Sequence, residues 1–277
     1  MTIFGGAKLK IRTLSKPVIL LVLLATYSID AQERGLRVTG TDTKSLPSIH
    51  SIAIGVNNFP NIREIRLAGC VSDAMGFSYA IKPVAETNIL LTDASANRKL
   101  ILENFEKLLN AAQPGDVIIF YCATHGATQF NDFFLFPSDI ERGKLLSTGF
   151  PFGVVTNAIA SKEGIQTLII LDACQSGAIG FDITKFRGGS KSSILVAAGP
   201  SEYSIETKVN GRSQGFFTYF LTQGLRGKAD ENNDGYVTLR EAFDYTYFNV
   251  KSATKGKQHP ILIGTLENDL IMTTTKK

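Results

Sequence analysis

Two apolar runs, each ending in a reactive side chain, constrain this chain more than any other feature. Thr167–Leu171 runs into Asp172, Ala173, Cys174, Gln175, Ser176 and Gly177, and Val117–Cys122 runs into Ala123, Thr124, His125 and Gly126. Runs of this length, rich in β-branched and large apolar residues and closed by small ones, read as strands buried on both faces, the kind that helices cover in parallel sheets. Open sheets of that type collect their chemistry at the carboxyl ends of the strands. A thiol and an imidazole are therefore expected over one sheet edge.

A thiol stays mostly protonated near neutrality unless an imidazole takes or balances its proton. Of the three histidines, His50 precedes the first strand pattern and His259 sits in a Lys-Gln-His-Pro turn, so only His125 ends a strand. Cys174 is the candidate nucleophile and His125 its base. Gly126, Ser176 and Gly177 let a peptide backbone approach, and the backbone N–H groups of Gly126 and Cys174 can form an oxyanion hole. The alternative, a buried apolar thiol and an unrelated turn histidine, explains either motif alone better than both together.

Strand patterns at Ser51–Val56, Asn88–Thr92, Val117–Cys122, Phe133–Phe136, Gln166–Leu171 and Ile194–Ala198 alternate with helical patterns at Asp73–Lys82, Ala96–Ala112 and Phe152–Ser161. Alternation of this kind predicts an α/β fold with parallel pairing and a doubly covered sheet. Residues 178–193 interrupt it: Lys185, Arg187, Gly188, Gly189 and Lys191 lie among serines and read as an exposed link.

Several motifs resemble those of the caspase-like cysteine peptidases. Tyr121–Gly126 is similar to their Tyr-x-x-x-His-Gly and Leu171–Gly177 to their Asp-x-Cys-x-Ser-Gly, while Leu67–Ala74 resembles the Leu-x-Gly-Cys-x-x-Asp-Ala of the metacaspase branch. Phe133–Asp139, Ile194–Gly199, Glu206 and Gly215–Thr218 extend the match. Ala123 and Thr124 depart from the Ser-Gly common before His-Gly. The resemblance implies a caspase-like sandwich, a mostly parallel six-stranded sheet with helices on both faces, spanning residues 50–266. It divides that span into a large part (about 50–177), the link 178–193 and a small part (194–266). It also places Cys70, Asp73 and Asp172 in the pocket for the residue before the scissile bond. Two carboxylates there would hold one guanidinium or ammonium, so cleavage after Arg or Lys is expected, with Lys185, Arg187 and Lys191 as self-cleavage candidates. Leu67, next to Arg66, stands where a caspase pocket would carry an arginine. The competing readings are that Asp73 only caps its helix, that the protein is a non-catalytic caspase-fold scaffold, or that the peptidase prefers Asp or Asn.

Residues 1–31 read as a secretory signal: Lys8, Lys10, Arg12 and Lys16 precede the apolar stretch Val18–Ala25 and a small-residue exit near Ala31. That stretch is far shorter than the ~20 residues of a membrane span, so a secreted or periplasmic protein is expected and a signal anchor is the lesser alternative. The leader carries four cations and one anion, hence most of the formal charge of +4. The rest is nearly neutral and lacks a basic, aromatic-lined stripe, which argues against nucleic acid as a partner. Residues 32–49 and 267–277 read as tails. Three cysteines, Cys70, Cys122 and Cys174, leave at least one thiol outside any disulfide and fit no zinc spacing. The chemistry needs no cofactor. Asp230–Glu241 does follow the EF-hand spacing, with Asp230, Asn232, Asp234, Tyr236, Thr238 and Glu241 at ligand positions and Gly235 at the sixth, so calcium is a candidate ligand there. A tight turn with Thr238 capping the next helix is the alternative.

Overall fold

The computed structural model describes residues 47–173, 191–199, 202–266 and 270–275. In chain order these form β1 (Ile49–Gly55), α1 (Cys70–Ile81), β2 (Ala85–Thr92), α2 (Arg98–Ala111), β3 (Val117–Ala123), β4 (Gly126–Gln129), β5 (Asp132–Leu135), α3 (Leu145–Thr148), β6 (Phe150–Pro151), α4 (Phe152–Ala160) and β7 (Gln166–Leu171). They continue with β8 (Ser192–Val196), β9 (Glu206–Val209), β10 (Arg212–Gly215), α5 (Phe216–Gln223), β11 (Tyr236–Thr238), α6 (Leu239–Ala253), β12 (Ile261–Gly264) and β13 (Ile271–Thr274). Cys174 and the candidates Lys185 and Arg187 lie outside the described residues, as does the leader.

The expected six-stranded sheet is present, in the order β12-β8-β7-β3-β1-β2. All pairs are parallel except β12 with β8. Alternate residues of each strand feed opposite layers, as the period of two requires. Ile118, Phe120 and Cys122 of β3 pack with Ile101, Phe105 and Leu108 of α2 and with Phe152 and Val155 of α4. Ile119, Tyr121 and Ala123 face Ala74 and Phe77 of α1, Phe217 and Leu221 of α5 and Ala242 of α6. Buried on both faces, β3 has no polar alternation to show, which is why its sequence reads as one unbroken apolar run. No helix among the described residues is long and apolar enough to cross a membrane.

Chain order reverses between β1 and β3, so the crevice beyond their carboxyl ends is the switch point of the sheet. Gly55 closes β1 there, and a β-carbon on it would lie 2.4 Å from the Cys70 carbonyl oxygen. Glycine is what lets the start of α1 cross the strand end.

The structure differs from the sequence reading at several places: β1 begins at Ile49, so His50 lies within it and not before it, and β2 begins at Ala85 instead of Asn88. Helix α1 begins at Cys70 with Gly69 as its cap, so Asp73 lies inside the helix and does not cap it. Residues 270–275, expected within a C-terminal tail, include β13, which pairs antiparallel with β11, and Met272 and Thr273 are buried. Strand β8 starts at Ser192, two residues before the expected strand, because its β-branched stretch is preceded by serines that pack in the sheet interior.

Candidate active site

His125 follows β3 by two residues and is held from both sides. Its carbonyl accepts a 2.8 Å bond from the Phe136 N–H, and Thr124 Oγ1 donates 2.7 Å to the Phe136 carbonyl. The departure from Ser-Gly before His-Gly thus ties β3 to the strand end of β5. Phe59 and Phe136 stand beside the imidazole, each ring centroid 6.1 Å away. Burial lowers the His125 pKa below the ordinary histidine value, favouring the neutral base. Phe59 reaches this position because the backbone N–H groups of Asn57 and Asn58 donate 2.8 and 3.0 Å to Asp93 Oδ1. Asp93 itself has φ of 40°, a strained left-handed conformation for a residue with a side chain. Gly126 opens β4, and a β-carbon there would lie 2.5 Å from the Phe133 ring.

The other two histidines are engaged elsewhere. His50 contacts Thr87 at 3.2 Å and Asp116 at 3.3 Å, and His259 contacts Glu202 at 2.7 Å.

Asp172 leaves the end of β7 buried, its N–H donating 2.9 Å to the Cys122 carbonyl. Its Oδ1 accepts from Ser204 Oγ at 2.8 Å and its Oδ2 from Thr218 Oγ1 at 2.6 Å. Both oxygens of Asp73 accept from the Gly215 N–H at 3.1 Å. A β-carbon on Gly215 would lie 2.9 Å from Asp172 Oδ2 and 3.4 Å from Asp73 Oδ2, so the two carboxylates flank that glycine. Burial raises the pKa of both, and for Asp73 the neighbouring Asp172 adds to it. Cys70, also assigned to the pocket from the sequence, is buried at the first position of α1. Arg66 is exposed and Leu67 packs against the core, so neither brings a cation to Asp73.

Glu206 is the residue that the sequence reading quoted without giving it a task. Its Oε1 accepts 3.2 Å from the Gly69 N–H, and a β-carbon on Gly69 would lie 3.0 Å from that oxygen and 3.2 Å from Asp73 Oδ2. Asp73 thus lies close to both other carboxylates, to Glu206 across Gly69 and to Asp172 across Gly215, with Asp73 and Asp172 buried and Glu206 exposed. Among the described residues no lysine or arginine bridges to any of them.

In the EF-hand-like loop, Asp230 Oδ1 and Oδ2 accept from the backbone N–H groups of Asp234 and Gly235, each at 3.1 Å, and Asn232 and Asp234 close similar turns. Glu241 forms a capping box with Thr238 at the start of α6. Asp230, Asp234 and Glu241 do not converge as a metal-holding group in this conformation. Lys191, the one self-cleavage candidate among the described residues, is exposed.

The mostly parallel sheet carries His125 beyond the end of β3 and two buried carboxylates beside α1, and its family is given by comparison with known proteins. The family model for the caspase domain of Peptidase C14 matches residues 50–271, so the chain belongs to the caspase family of peptidases. A crystal structure of protein GSU0716 from Geobacter sulfurreducens shares the fold, with a TM-score of 0.58 at 16% identity, covering 83% of this chain and 100% of that one. A comparison with curated proteins gave no match.

Proposed function

We propose that this protein is a cysteine endopeptidase that cuts after Arg or Lys. The observation that carries this reading is the proximity of Asp73 to Asp172 across Gly215 and to Glu206 across Gly69, without a bridging cation among the described residues. An enzyme that accepted Asp before the cut would bring positive charge to that position. Cys174, bonded directly to Ala173, would attack the scissile carbonyl, and His125 would take its proton and return it to the leaving amine. The N–H groups of Gly126 and Cys174 would receive the developing oxyanion. The resulting thioester is hydrolysed by water that His125 deprotonates, which restores the thiol and releases a carboxyl terminus ending in the cationic residue.

Self-processing in the link belongs to the same proposal, since Lys185, Arg187 and Lys191 lie close in the chain to the nucleophile and would reach it at high effective concentration. Mass spectrometry of the purified protein tests both steps. New termini after one of these residues, present in wild type and absent from Cys174→Ala and His125→Ala, are expected. An uncut wild type that is fully active, or a Cys174→Ala protein that is still cut, would contradict the respective step. Export by the N-terminal segment and calcium at Asp230–Glu241 remain part of the proposal, carried by sequence pattern.

A further inference from the structure

The third carboxylate sits on a segment that the turn after α6 holds in place. Gln258 is fully buried and spends both ends of its amide there: Nε2 donates 2.8 Å to the Ala197 carbonyl, and Oε1 accepts 2.9 Å from the Ile205 N–H. Each partner is itself pinned to the site. The Ala197 N–H donates 3.0 Å to Leu171, the last residue of β7, and the Ile205 carbonyl accepts 2.9 Å from Phe216, the first residue of α5. Ser204 and Glu206, on either side of Ile205, are the residues that touch Asp172 and Gly69. A second fastening lies next door, where Glu202 accepts 2.7 Å from the His259 N–H and meets His259 Nδ1 at 2.7 Å while also taking the Gly199 N–H. Burial works against the Glu202 anion, but these bonds hold its carboxyl below the ordinary value. The turn is fixed from behind by Thr254, whose Oγ1 accepts from the Gln258 N–H at 3.2 Å and donates to Val250 at 2.8 Å.

We infer that Gln258, supported by the Glu202–His259 pair, is a positioning residue for substrate selection: it sets where Ser204 and Glu206 stand and so how tightly the pocket grips a cationic side chain. The inference rests on the Arg/Lys reading above. It separates binding from chemistry, because among the described residues the turn bonds directly to Ala197 and Ile205 and to neither His125 nor Ala173.

The test compares Gln258→Met, similar in size and unable to make either bond, with Gln258→Glu. Gln258→Met should raise KM for Arg and Lys peptides about tenfold or more, leave kcat within about twofold, and leave unchanged the rate at which iodoacetamide alkylates Cys174. Protonated Gln258→Glu can make both bonds, so its kcat/KM relative to wild type should recover as pH falls, while the Gln258→Met ratio stays flat. Should Gln258→Met fail to fold, Glu202→Gln is read for the same split of KM from kcat. A wild type with the cationic preference whose KM survives Gln258→Met overturns this inference alone. A fall in kcat and alkylation together overturns it as well, by making the turn a general support. A wild type without the preference overturns the pocket reading first.

Discussion

Burial raises the pKa of Asp73 and of Asp172, and the cost of that burial falls on the folded state when the carboxyls ionise. A carboxyl whose folded pKa is raised adds stability below its unfolded value, about 3.9, and that stability is lost as pH rises through the folded value. Asn at position 73 can still accept from the Gly215 N–H but carries no charge. Thermal melts should therefore show Asp73→Asn more stable than wild type at pH 7, by about 2–4 °C for each kcal/mol recovered, with the gap closing below about pH 3.5. The same variant should lose most turnover on Arg peptides, since removing one partner of a desolvated charge pair costs about 2–5 kcal/mol. A variant that melts lower than wild type at pH 7 would show that Asp73 is structural. That Asp73 and Asp172 lie near each other was expected from the resemblance to metacaspases. Glu206 was not, because an isolated acidic residue far along the chain has no periodicity to mark its direction.

Its element was more legible than the residue. Asn210 and Gly211 separate β9 from β10 and adopt φ of 52° and 79°, the left-handed pair that an Asn-Gly hairpin turn needs. That hairpin carries Glu206 at one end and Gly215 at the other, and reading it would have set the two opposite each other. The hairpin of β4 and β5 gave no such signal, since its left-handed positions are Phe130 and Asn131. At the loop before α6, β11 pairs with β13, and Thr275 Oγ1 donates 3.2 Å to Asp230 Oδ2. A partner strand therefore stabilises this single loop, in the place where paired EF-hands support each other. Calcium there should raise the melting temperature, and chelator should lower it to the metal-free value. Glu241→Gln should abolish the difference while sparing the capping box, because Gln also closes one. Equal melting in chelator and in millimolar calcium would reduce the loop to a turn.

Across the molecule, the parallel sheet and its two helical layers followed from strands buried on both faces, whose sequences are hard to mistake. Contacts between distant segments were hidden. Thr218 reaches Asp172 and Tyr121, Asp93 anchors the chain to Phe59, and Gln258 joins Ala197 to Ile205. Each is a polar residue bonded to partners far away in sequence, and no local pattern announces it. These contacts surround the carboxyl edge of β3 and β7, where the proposed selection for Arg or Lys would act. A peptide-library cleavage profile of the purified protein tests it most directly. The predicted profile shows cuts after Arg and Lys and loses them in Asp172→Ala and in Cys174→Ala. Preferred cleavage after Asp or Asn, or an unchanged profile in Asp172→Ala, would contradict it.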